Sequence, residues 1–345
     1  MSIRTTLGAR ARAGVSVGRR LAGRSYRAAS RRVAAVRSNR SELGPTPTEE
    51  RAAAEPPSPY PASFSLDALR ANHPDLAGFD DAALIGHYRR TGFAEGRKGF
   101  RIADRNAFVA LIGPQERTLE IGPFHAPVLT GPNVRYFDVL DRKGLVERAT
   151  SHGLDTARIP EEIHFVSSTG DLSIVTERFD AVVSSHCIEH QPDLVRHLRL
   201  VADVLCNGGR YFVLVPDHRY CFDHFLSPSP TAAVIGAHLE ARTRHTMRAV
   251  LEHRAHTAHN DPGRHWAADH GDPRENRAAR LRSAIDEIAH AGDDYIDVHA
   301  WQFTPESFAT VIDDLAELDL IPFDVERLYP TPRHHVEFWA ILRKR

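Results

Sequence analysis

Residues 179–216 leave this chain few ways to fold. Phe179-Asp180-Ala181-Val182-Val183-Ser184-Ser185 is short, rich in β-formers and almost free of charge, the pattern of a strand buried on both faces of a parallel sheet. The spacing then predicts a helix, with Pro192 in its first turn, Leu194, Leu198, Val201 and Leu205 on one side, and Asn207-Gly208-Gly209 closing it. A second apolar run, Arg210–Val215, follows and stops at Pro216-Asp217. Strand, helix and strand in succession imply a βαβ unit.

The same logic extends upstream. Thr118–Ile121 and Val134–Leu140 are short apolar runs, the first cut off by Gly122-Pro123 and the second carrying Asp138 near its end. A glycine directly after a strand lets the backbone approach a ligand closely, because no Cβ intervenes. A carboxylate at the end of the neighbouring strand can accept hydrogen bonds from a ribose diol, and nucleotides bind at the carboxyl ends of strands in doubly wound sheets. Arg142–Ser151 reads as the intervening helix and Ile163–Val166 as a third strand, followed by Gly170-Asp171.

Glu120-Ile121-Gly122, the acidic strand end at Asp138 and the run from Phe179 to Pro216 resemble the class I S-adenosylmethionine-dependent methyltransferases over about 117–216. Where that family has E-x-G-x-G, this chain has Gly122-Pro123-Phe124-His125, so Pro123 and Phe124 must rebuild the turn. The resemblance implies S-adenosylmethionine as cofactor, with contacts at Glu120, Gly122, Pro123, Asp138, Asp171, Ser185 and His186. For Asp171 a turn-forming role after Gly170 is the competing reading. Near the C-terminus, Thr304-Pro305-Glu306 caps a helix, and Phe323–Leu328 and Val336–Leu342 read as two further strands. The expected fold is therefore α/β: a doubly wound Rossmann-like methyltransferase sheet, mostly parallel with an antiparallel last strand. A plain Rossmann dehydrogenase would not predict that closing hairpin.

The flanking segments differ in character. Residues 1–40 hold eleven arginines and no acid, and 41–62 are proline-rich. Together 1–62 read as a basic arm and linker without stable structure, capable of weak contact with an anionic surface. Residues 63–100 read as a small helical module. Its His87–Arg97 phrase is similar to short modules attached to bacterial glycan-synthesis proteins. The methyltransferase domain spans 101–345, and within it 217–300 is far too long for a loop. That stretch reads as a helical, histidine-rich cap over the strand ends, with helices at 231–250 and 274–290. Three cysteines without C-x-x-C spacing argue against a zinc ribbon or a disulfide framework and for a reducing cytoplasm. The net charge of −1 gives no reason to expect a stable nucleic-acid complex.

Methyl transfer from a sulfonium needs alignment of the nucleophile and exclusion of water. A hydroxyl acceptor benefits from a base as well. His186, at the end of the strand that faces the methyl group in this fold, is the first candidate, and Asp217 and His299 are further catalytic candidates. His190, Arg219, Tyr220 and Trp301 are candidates for contacting the acceptor, an acidic and aromatic lining suiting a polyhydroxylated molecule. Glu189 and His190, with Asp217, Asp223, His224 or His299, could gather round a metal, but no compact ligand motif is present and none is assigned. The His253/His256/His259 run reads as a solvated helix face. The leading expectation is O-methylation of a saccharide or other small hydroxylated metabolite. A non-catalytic nucleoside-binding or scaffold protein of glycan assembly and an RNA methyltransferase are the alternatives.

Overall fold

The computed structural model describes residues 65–92 and 104–345 and, between them, 95, 97, 99 and 102. The arm and linker expected at 1–62 lie outside the described residues, as do parts of the His87–Arg97 phrase.

Among the described residues, seven strands form one sheet: β1 (Thr118–Ile121), β2 (Val134–Asp138), β3 (Phe165–Val166), β4 (Phe179–Ser185), β5 (Leu205–Pro216), β6 (Phe323–Tyr329) and β7 (Glu337–Lys344). Their order is β3-β2-β1-β4-β5-β7-β6. Strands β1 to β5 pair in parallel, and β7 runs antiparallel to both β5 and β6. This is the mixed Rossmann-like methyltransferase sheet expected from the sequence. Alternation along the central strands builds two cores. Val182 of β4, Tyr211, Val213 and Val215 of β5 and Phe338, Ala340 and Leu342 of β7 face one side. Ala181, Val183, Phe212, Leu214, Trp339 and Ile341 face the other, against Phe108 and Val109.

The helix after β4 runs from Leu194 to Val204 and buries Leu194, Val195, Leu198, Val201 and Ala202 against the sheet. Its cap is Asp193, whose side chain accepts from the Arg196 amide at 2.8 Å, so Pro192 stands one residue outside the helix. The expected closing turn at Asn207-Gly208-Gly209 is instead a bulge inside β5: Leu205 pairs with Phe179, Arg210 pairs with Ala181, and the residues between loop out. Gly208 takes a left-handed backbone there, φ 71°. The third strand is shorter than expected, only Phe165–Val166. Thr304 caps the helix Pro305–Glu317 in a reciprocal box with Ser307.

In the 217–300 insertion, the single helix expected over 231–250 is two, Thr231–Leu239 and Met247–His256, separated at Ala241 with φ 52°. Thr246 restarts the chain by capping the Ala249 amide at 3.1 Å. Further helices run over Pro262–Trp266 and Arg277–Ala291. The described residues 65–92 carry short helices, with Ser65 and Asp80 as caps and a small core of Leu69, Leu76, Leu84 and Tyr88.

Candidate active site

Parallel register brings the sequence-predicted cofactor residues to one edge of the sheet. Ile121 lies opposite both Phe137 and Ser184, so Gly122, Asp138 and Ser185 emerge side by side. Gly122 has φ 70°, and a Cβ built on it would meet nothing within 4 Å. The end of β1 is therefore open and approachable. Two residues on, Phe124 itself takes φ 41°, a conformation that costs a non-glycine residue about 1–2 kcal/mol. The missing glycines are thus replaced by one residue in a left-handed turn, held by packing of its ring under the Arg148 guanidinium, 5.5 Å away.

Asp138 is nearly buried, and its Oδ1 accepts from the Leu140 amide at 3.2 Å. Burial pushes its carboxyl above the usual range, while backbone amides at 140, 139 and 124 pull it back. A strand-end carboxylate beside an open glycine turn fits a nucleoside diol. Val139, directly after Asp138, is 38% exposed. Pro123 lies between Gly122 and Phe124 in this turn. Asp171 caps the Ser173 amide at 3.0 Å and pairs with Arg196 at 2.8 Å, so the turn-forming role is the one its contacts show.

Glu120 does not face that opening. It is buried, and its two oxygens accept from the Val128 and Leu129 amides at 2.8 and 3.1 Å. Burial raises its carboxyl to about 7. It anchors the loop after β1 from beneath, and direct contact with a cofactor does not suit its position.

At the end of β4, His186 adopts φ 51°, which turns the chain sharply out of the strand. Its Nε2 lies 2.7 Å from Oε2 of Glu337, the first residue of β7. Glu337 also accepts from Arg105 at 3.0 Å and, through Oε1, from the Trp339 indole at 2.9 Å. Arg105 in turn donates to the Ser185 hydroxyl. Burial alone would push the Glu337 carboxyl upward; the His186 hydrogen bond and the charges of His186 and Arg105 overcome this and hold it below its usual value. Neither Arg105 nor Glu337 was foreseen. Glu337 lies 151 positions from His186 in sequence, and only antiparallel pairing of β7 with β5 places Glu337 opposite Pro216 at the carboxyl end of the sheet.

A second group follows one turn later. His190 donates through Nδ1 to Asp297 at 2.8 Å, and His299 donates through Nδ1 to Asp223 at 2.6 Å. The two rings stand edge to face, 4.6 Å between centroids. Burial opposes a charge on His190, but Asp297 and Glu189 outweigh it and raise its pKa; burial lowers that of His299 to about 3. His253 reaches the same group, 5.7 Å from the His299 ring, and burial lowers it to about 4. It is thus half-buried against that group and does not belong to a fully solvated face. His259 lies beyond that helix altogether.

Four other candidates find different surroundings. Asp217 is fully buried, its oxygens taken by Arg219 at 2.9 and 2.6 Å and by the Thr331 hydroxyl at 2.6 Å. It fixes the turn after β5 and cannot reach substrate. Arg219 is correspondingly tethered, its guanidinium over the Tyr220 ring, which stacks on Trp266 at 3.9 Å. Trp301, expected at the acceptor, is 4% exposed within the main core and donates to the Gln191 carbonyl at 2.6 Å.

Residues 140–213 match a family described as a methyltransferase domain. No curated protein matches. Among solved structures, the chain is similar to the mitomycin 7-O-methyltransferase MmcR (14% identity, TM-score 0.34), covering 79% of this chain and 61% of that one. It is also similar to magnesium protoporphyrin IX methyltransferase from Synechocystis PCC 6803 with bound SAH (11%, 0.32, 77% and 100%). A third is an S-adenosylmethionine-dependent methyltransferase from Clostridium acetobutylicum ATCC 824 (9%, 0.34, 76% and 98%). The sheet order and the open glycine turn beside Asp138 thus frame a Rossmann-like methyltransferase fold, and residues 140–213 within it match a methyltransferase domain.

Proposed function

We propose that this protein methylates an oxygen of a small hydroxylated acceptor, with saccharides as the first class to test. The observation that carries this reading is the His186–Glu337 pair at the end of β4. S-adenosylmethionine supplies a methyl group already activated on a sulfonium. What remains for the chain is to hold the acceptor in line, exclude water and remove the hydroxyl proton. With Nε2–H donated to the Glu337 carboxylate, His186 keeps the Nδ1 lone pair free as an acceptor, and its side chain is 35% exposed, open to a substrate. Glu337 orients the ring and offsets the charge that forms when Nδ1 takes the proton.

The saccharide preference rests on the polar, histidine- and carboxylate-rich lining contributed by 186–190 and 297–299 and on the similarity of the N-terminal phrase. Calorimetric titration with S-adenosylhomocysteine is the first test. Binding with an affinity in the micromolar range is expected, and no heat at high micromolar ligand would favour a non-catalytic scaffold instead. Methyl transfer is then assayed with tritiated S-adenosylmethionine against a panel of sugars, phenols and RNA. Transfer to RNA alone would overturn the small-molecule reading.

A further inference from the structure

The Glu189 carboxylate is fully buried, yet neither of its oxygens has a hydrogen-bond partner among the described residues. Buried carboxylates are paired, protonated or bound to a metal. What faces Oε1 of Glu189 is two imidazole nitrogens, Nε2 of His190 and Nε2 of His299, each 3.8 Å away. That is too far for a hydrogen bond. It is a few tenths of an ångström more than the roughly 3.3 Å between donors around a tetrahedral ion with bonds of about 2.0–2.1 Å. All three donor atoms lie within 4.8 Å of one another.

The outer contacts complete the pattern. His190 uses Nδ1 on Asp297 and His299 uses Nδ1 on Asp223. A carboxylate on one ring nitrogen fixes the tautomer that presents a lone pair on the other, as in carboxylate–histidine–metal arrangements. Backbone geometry locks the set together. The Glu189 carbonyl accepts from the Ala300 amide at 2.7 Å, which ties the 297–301 segment to the turn after β4. Access exists from one side: the His190 side chain is 29% exposed, whereas that of His299 is 6% exposed.

We propose that Glu189, His190 and His299 form a binding site for a divalent first-row transition ion of the Zn²⁺ type. Two imidazoles and one carboxylate suit such an ion and suit Mg²⁺ poorly. The site stands on the geometry of these side chains and is independent of the methyl-transfer reading. If that reading also holds, an acceptor hydroxyl bound to the ion would lose its proton more readily.

The test is equilibrium dialysis of the full chain against Zn²⁺ and, separately, Mg²⁺, with metal content measured after removal of free ion, and with Co²⁺ absorption as a second readout. One equivalent of Zn²⁺ is expected in the wild type, lost in Glu189→Gln, His299→Ala and His190→Ala, and retained in His265→Ala. The last variant disrupts the separate His224, His265 and His270 cluster of the cap. His190 is the most exposed of the three, so His190→Ala decides the matter if the two buried variants fail to fold. S-adenosylhomocysteine binding, measured in parallel, reports the methyl-donor site separately. A wild type that binds no Zn²⁺, a Zn²⁺ ion retained by folded His190→Ala, an ion lost only in His265→Ala, or Mg²⁺ competing on equal terms would each overturn the proposal.

Discussion

At the scale of single residues, the end of β4 carries the sharpest expectations. His186→Ala should lower kcat by roughly 10²–10⁴-fold, the usual contribution of a positioned base, with S-adenosylhomocysteine affinity nearly unchanged. Glu337 is a positioning residue that acts through His186. Glu337→Gln keeps an acceptor near Nε2 but removes the charge that faces the ring. Turnover should fall at least tenfold with KM and S-adenosylhomocysteine affinity nearly unchanged, a split that a purely structural role would not produce. Asp138→Ala should do the reverse of His186→Ala: cofactor affinity falls about tenfold or more, the scale of hydrogen bonds to a charged group, read by calorimetry. The strand-end positions of His186 and Asp138 were legible because each stands at the end of a recognisable apolar run. Glu120 stands on such a run too. Its side chain nevertheless points down to the Val128 and Leu129 amides, and linear order alone does not say which face of a four-residue strand looks at the ligand.

At the scale of elements, caps decide where chain segments begin. Asp193 starts the helix after β4 and also meets the His238 Nδ1 at 2.9 Å, at 6% exposure. Asp193→Ala removes a cap and leaves the His238 ring short of a partner, and should cost on the order of 1–3 kcal/mol in urea unfolding. That helix was readable from its periodicity and its start within a residue or two. The bulge at 206–209 was not. A glycine pair after an amphipathic run reads as a helix stop, and only the pairing of Leu205 with Phe179 shows that the strand has already begun. The strand β7 is a similar case. Its apolar run identifies a strand, but its place between β5 and β6, which carries Glu337 to the active edge, is a property of the sheet.

At the scale of the whole molecule, buried neutral histidines tie stability to pH. Burial lowers His197 to about 4, and its Nε2 lies 3.2 Å from the Tyr211 hydroxyl. The native state resists protonating this ring while the unfolded chain, titrating near 6.5, does not. Between those values the unfolded state binds more protons, so stability is full above about 6.5 and is lost as pH falls toward 4. For this one residue the loss is on the order of 2–3 kcal/mol. Urea unfolding between pH 7 and 4.5 should show that decline, and His197→Gln should remove this residue's share of it.

The sequence by itself determined the sheet, because short apolar runs, glycine stops and helix periodicity are local signals. Tertiary structure alone decided which polar groups meet. Pairing of β7 with β5 delivered Glu337 to His186, and the 297–301 segment, hydrogen-bonded to Glu189, brought His299 and Asp297 to His190. Packing likewise buried Trp301 and Asp217. Those contacts join positions more than a hundred residues apart, and no local pattern in the chain encodes a distance of that kind.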